Sequence, residues 1–114
     1  MDTNLISRDE LKARIDRGHR FTLIMALGEW QFRAKHIPGS VNISSPDDPR
    51  LGQIDKHADI VVYCADVDCP ASAYAQQGLQ QRGFPNVRRY AGGVADWESA
   101  GLPLEGDWRG ERTA

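Results

Sequence analysis

The sequence predicts an α/β fold, a central parallel sheet flanked by helices on both faces. Three observations carry that expectation. Strand-like and helix-like segments alternate along the chain, the order that builds β-α-β units. The strand-like segments are apolar at successive residues, Ile60–Cys64 above all, so both of their faces need cover. Glycines and prolines fall at the joints between segments. With 114 residues there is chain for one domain and one core.

Each element follows from local chemistry. Ser7 with Glu10 three residues later is a capping box, opening a helix that carries Leu11 and Ile15 on one face and closes at Gly18. Phe21–Leu27 reads as a buried strand stopped by Gly28, and Glu29–Lys35 as a short helix, with Trp30 and Phe32 expected in the core or walling a cleft. Pro38-Gly39 makes a turn into a short strand, Val41–Ile43, and Ser44–Pro49 is loop. Ile60–Cys64 is the strongest strand signal in the chain. Pro70 suits the first turn of a helix that runs to about Arg82 and stops at Gly83. Asn86–Tyr90 is a further strand, and Gly92-Gly93 turns the chain into a last helix ending near Gly101 and Pro103. The domain is expected to span residues 1–104, leaving 105–114 as a frayed tail with little to bury.

Composition excludes several functions. Fourteen Lys and Arg against sixteen Asp and Glu give a net charge of -2, with no basic field to hold nucleic acid or an anionic membrane. The first twenty residues carry too many charges for a signal peptide. The longest apolar run, Ile60–Ala65, falls far short of the roughly 20 residues that cross a bilayer. Two cysteines build no disulfide framework, which points to a cytoplasmic thiol protein, and no zinc-ligand spacing occurs among the Cys and His residues.

Chemistry concentrates after the strongest strand. Ligands of parallel sheets bind at the carboxyl ends of strands. Cys64 ends its strand there, and Ala65, Asp66, Val67, Asp68 and Cys69 lead to the next helix. A thiol in such a loop faces the positive end of a helix dipole, and loop N–H groups can converge on its sulfur and favour the nucleophilic thiolate. The alternative is a buried strand cysteine without chemistry. Cys69, five residues on, is either a small helix-entry residue or a partner that resolves an oxidised or persulfidated Cys64. Pro70 stands where a C-x-x-x-x-x-R phosphatase loop needs its arginine, which argues against phosphatase chemistry. His36 and Trp97 are candidate accessory residues; their alternatives are a turn-holding histidine and a core tryptophan.

The chain resembles the single-domain rhodanese-like family, on pieces that run in order from Ile6 to Leu104. These are Ile6-Ser7-Arg8-Asp9-Glu10-Leu11, then His36-Ile37-Pro38-Gly39-Ser40-Val41-Asn42-Ile43, then Ile60-Val61-Val62-Tyr63-Cys64. Gly83-Phe84 with Asn86-Val87, Ala91-Gly92-Gly93 with Trp97, and Ala100-Gly101-Leu102-Pro103 follow. The resemblance implies the parallel sheet, a nucleophile at Cys64 and sulfur transfer through a cysteine persulfide, with no cofactor. The partners implied are a small sulfane-sulfur donor and a thiol acceptor, free or on a protein. Other readings are a non-catalytic binding module on the same fold, or a Cys64/Cys69 dithiol redox protein.

The chain departs from the family in two places. Members usually carry an Asp and an Arg two residues apart in the strand before the short helix; Met25 and Leu27 stand there. Thiosulfate-using members often have a basic active loop, whereas this one holds Asp66 and Asp68 and no base. At roughly 7 Å and an effective dielectric near 20, each Asp opposes a thiolate by about 2 kcal/mol before solvent screening. Thiosulfate is therefore expected to be a poor donor.

Overall fold

The computed structural model describes residues 5–18, 20–45 and 47–107. Four parallel strands form one sheet in the order β2-β1-β3-β4: β1 is Thr22–Met25, β2 Val41–Asn42, β3 Ile60–Tyr63 and β4 Val87–Tyr90. The helices are α1 (Arg8–Asp16), α2 (Glu29–Ala34), α3 (Ala71–Gln81) and α4 (Gly93–Ser99), and Pro49–Gln53 is a 3₁₀ turn within a stretch expected only as loop at its start. Leu5 bridges Arg89 in parallel, extending the sheet beyond β4.

The apolar strand runs predicted cover on both faces, and strand alternation divides the core accordingly. Leu23, Met25, Val61 and Tyr63 pack on one side with Leu11 of α1 and Val94 and Trp97 of α4, and Phe32 of α2 joins them. Ile24, Ile60, Val62 and Val87 pack on the other with Leu51 of the 3₁₀ turn and Leu79 of α3. All four β3 residues are buried. Met25 is 2% exposed within the first cluster, so the missing polar pair of β1 is replaced by ordinary apolar packing.

The strands are shorter than the apolar runs. Phe21 and Leu27 pack against the core from outside β1, and Cys64 sits one residue past β3. Only half of the capping box forms. Glu10 N–H donates to Ser7 Oγ at 3.0 Å, but the Glu10 carboxylate accepts from Arg88 at 2.8 Å and Arg14 at 3.3 Å instead. These cations hold its pKa below the usual carboxylate range, the Arg88 hydrogen bond foremost. Trp30, expected in the core or a cleft wall, is 79% exposed, because a two-turn helix buries only the Phe32 side.

The chain also stays docked beyond Leu104. His36 and Glu105 exchange backbone hydrogen bonds of 2.8 and 2.9 Å, and Asp107 N–H donates to Arg33 O at 2.8 Å. The fray expected from 105 does not begin there, and the rest of that expectation, 108–114, lies outside the described residues. Among the described residues no helix is long and apolar enough to cross a membrane.

Candidate active site

The strand order places a crevice. The chain leaves β1 for β2 on one side and leaves β3 for β4 on the other, so the carboxyl ends of β1 and β3 form the switch point of the sheet. Ligands of open α/β sheets bind at such points. Cys64 follows β3 there, and a mostly apolar cleft of about 290 Å³, of which Cys64 is not a lining residue, opens between the sheet and α3, lined by Ile24, Ala26, Ile43 and Ser44 and by Ala71 and Tyr74.

Cys64 is 1% exposed. Its Sγ lies 3.3 Å from Cys69 O and 3.5 Å from Ser72 Oγ. Ser72, also buried, stands in the first turn of α3, and its hydroxyl and its backbone N–H both assist the Cys64 thiolate. Burial is the stronger influence and, with the hydrogen bond Cys64 gives to Cys69, pushes the Cys64 thiol above the ordinary cysteine value.

Cys69 is in the opposite condition. Burial disfavours its thiolate, but the hydrogen bond from Cys64 and those from the N–H groups of Ala65 and Ala71 outweigh it, and its pKa falls. The loop explains why. Asp68 N–H donates to Asp66 Oδ1 at 3.0 Å and Cys69 N–H to Asp66 O at 3.1 Å, forming an Asx turn inside a β-turn. That turn folds Cys69 back toward Cys64. Sequence reasoning expected the amides from Ala65 to Pro70 to face Cys64. Instead Asp66 takes two of them, Pro70 has none, and Ala65 and Ala71 serve Cys69.

Two neighbouring elements fix the backbone of Cys64. Val94 N–H and Ala95 N–H, at the start of α4, donate to Cys64 O at 3.0 Å and Ala65 O at 2.8 Å. Helix-start amides have no partner within their own helix, so the active loop supplies one. This docking needs Gly93, whose φ is +64°, the positive-φ, close-approach role expected of the Gly92-Gly93 pair. On the other side Tyr63 closes a ring of hydrogen bonds. Ile37 N–H donates to Tyr63 Oη at 3.0 Å, Tyr63 and Ser40 hydroxyls pair at 2.8 Å, and Ser40 Oγ donates to Ile37 O at 2.7 Å.

The accessory candidates are not gathered at the sulfur. His36 Nδ1 pairs with Phe32 O at 2.8 Å, its ring stacks on Phe32, and Nε2 lies 3.5 Å from Glu105. It fastens the chain after α2. Trp97 is 1% exposed, donates from Nε1 to Pro103 O at 2.8 Å and meets Tyr90 edge-on, so it is core and not a cleft wall. Sequence reasoning missed Ser72, the residue that does reach Cys64. A serine two residues past Pro70 was the available signal.

A profile of the family described as Rhodanese-like domain matches residues 7–100. An HTH-type transcriptional regulator of Mycobacterium tuberculosis is 33% identical over 101 residues, 88% of this chain but 44% of its own length. The chain therefore spans less than half of that relative. Among solved structures, the Rhodanese-like domain of an Anabaena protein has a TM-score of 0.81 at 28% identity, covering 94% of this chain and 81% of its own. A Bacillus halodurans protein has a TM-score of 0.86 at 20% identity, over 91% of this chain and 77% of that one. Thiosulfate sulfurtransferase from Pseudomonas aeruginosa has a TM-score of 0.78 at 24% identity, over 91% of this chain and 20% of that one. The last two are likenesses of fold alone.

Proposed function

The chain belongs to the rhodanese-like domain family, and on that premise we propose that it carries sulfane sulfur as a persulfide on Cys64. The observation that carries this reading is the position of Cys64. It is the first residue beyond a buried central strand, at the switch point of the sheet, with its sulfur against the first turn of α3. Cys64 gives its proton to Cys69 or to solvent, and the thiolate attacks the outer sulfur of a donor R–S–SH. Cys64–S–SH forms and RS⁻ leaves. An acceptor thiolate then takes the outer sulfur and restores the Cys64 thiolate. The Ser72 hydroxyl and N–H stabilise charge on the Cys64 sulfur in both half-reactions.

The apolar cleft and the acidic loop favour a donor whose body is uncharged or protein-borne, over the thiosulfate dianion. The protein is proposed to act in the cytoplasm, where free thiols persist. Likeness to part of a transcriptional regulator supports a second reading, a non-catalytic binding module that recognises a partner protein.

Intact-mass measurement separates the two. At the earliest times after mixing with a persulfide donor, the chain should carry one added sulfur atom that dithiothreitol removes, and Cys64→Ser should gain none at any time. Sulfur uptake by Cys64→Ser at the wild-type rate refutes the assignment of Cys64. A wild-type chain that gains no sulfur refutes the carrier and leaves the binding module.

A further inference from the structure

The active loop holds a second sulfur whose placement sulfur transfer alone does not require. The turn made by Asp66 brings Cys69 back so that the Cys64 thiol donates to the Cys69 carbonyl oxygen at 3.3 Å. Cys69 is half-buried, hence reachable from solvent, and its pKa is lowered, the Cys64 thiol and the backbone of Ala65 and Ala71 favouring its thiolate against burial. The loop thus favours the thiolate at the residue beside Cys64 and disfavours it at Cys64 itself.

We propose that Cys69 is a second catalytic residue, which attacks the Cys64 sulfur of the persulfide, expels hydrosulfide and closes a Cys64–Cys69 disulfide. The proposal rests on the persulfide reading above. Cys69–S⁻ forms a bond to Cys64 Sγ, and the bond from Cys64 Sγ to the outer sulfur breaks. The outer sulfur departs with the bonding pair and its hydrogen as HS⁻. The two cysteines together give up two electrons, and the sulfane sulfur is reduced to sulfide. An external dithiol reductant reopens the disulfide for another cycle.

Geometry favours attack on the inner sulfur. Cys64 Sγ is already held against Cys69, 3.3 Å from its carbonyl oxygen, while the outer sulfur must lie toward the donor and acceptor that exchange it. A nucleophile already held beside its target competes as though at very high concentration, so Cys69 wins whenever no acceptor thiol is seated. The lowered pKa of Cys69 adds to that advantage, and its lowered basicity trims it only in part. The loop therefore chooses between two fates for one sulfur atom. A bound acceptor receives it as persulfide; otherwise it leaves as sulfide and the loop is locked oxidised.

The test is a single turnover of the full chain without acceptor and without oxygen, using glutathione persulfide as the donor. Sulfide release and intact mass are followed together. The wild-type chain should pass from the sulfur-bearing species to one lighter than the reduced chain by two hydrogens, with one sulfide released per chain. Cys69→Ser and Cys69→Ala should accumulate the sulfur-bearing species and lose it at least about tenfold more slowly. A wild-type persulfide that persists, sulfide release from Cys69→Ser at the wild-type rate, or a persulfide that moves onto Cys69 without sulfide overturns the proposal alone. If neither wild type nor Cys69→Ser ever gains sulfur, the proposal fails together with the carrier reading beneath it.

Discussion

Gly93 and Cys64 are in such close register that a Cβ on the glycine would stand 2.3 Å from the Cys64 carbonyl oxygen. The first turn of α4 thereby rests directly on the backbone that carries the thiol. Gly93→Ala must move either that helix or that loop, and it must also adopt a φ of +64°. Strain of both kinds predicts a loss of about 2 kcal/mol or more in denaturant unfolding, with slower sulfur loading because the Cys64 backbone shifts. Stability within about 0.5 kcal/mol of wild type, the range of an ordinary surface change, would contradict this packing.

Ser72→Ala removes the hydroxyl beside Cys64 but leaves the helix backbone in place. Ser72 acts as a positioning residue that favours the thiolate. Its loss should shift the pH profile of sulfur loading toward alkaline pH, while the unfolding free energy changes by about 1 kcal/mol or less. Ser72→Thr should recover part of the shift. An unchanged pH profile would show that the hydroxyl does no more than fill space.

Tyr63 is pushed up from 10.0 to about 12, by burial foremost. The folded chain keeps a proton that the unfolded chain gives up near pH 10, so folding is fully supported below pH 10 and loses support as the pH climbs toward 12. The loss from this one group is on the order of 3 kcal/mol across that interval. Tyr63→Phe should show a correspondingly shallower decline, measured by urea unfolding at several alkaline pH values. At neutral pH the same variant should be about 1–3 kcal/mol weaker, since Ile37 N–H loses its acceptor. Parallel declines in both chains would show that Tyr63 ionises freely.

Asp68 is exposed and its side chain does not shape the loop, whereas Asp66 holds the turn. Asp68→Lys therefore probes charge with the geometry preserved. Thiosulfate kcat/KM should rise roughly threefold to tenfold at low salt and the gain should shrink as salt is added. Activity with an uncharged persulfide should change much less. If the gain is as large in high salt, charge is not what limits thiosulfate.

Much of this arrangement was legible from residue order. The β3 run is apolar at every position, so its burial on both faces and the exit of Cys64 at its carboxyl end follow from periodicity. Gly92-Gly93 announced a close approach before the approach was seen. The docking of 105–107 left almost no trace, because it is made by backbone groups. Gly106 was its sole hint, where a Cβ would stand 2.2 Å from Ala34 O. Trp30 was misread because six residues of helix set no period to decide between faces. Nor could spacing tell which of two sulfurs the loop amides serve. That depends on how Asp66 folds the turn, a choice that any loop of this length leaves open.

The ring joining Ile37, Tyr63 and Ser40 has a consequence for how the loop can be watched in solution. Ile37 N–H is bonded to a side chain, not to a neighbouring strand, and that side chain belongs to the residue before Cys64. Its exchange with deuterium is therefore gated by excursions of the β3 terminus, even though Ile37 itself lies in a distant turn. When the loop tightens around bound sulfur, Ile37 should exchange more slowly, and when β3 frays it should exchange among the first of the buried amides. A single amide signal, linked to the residue before Cys64 through one hydroxyl, thus becomes a gauge of how firmly the end of β3 is held.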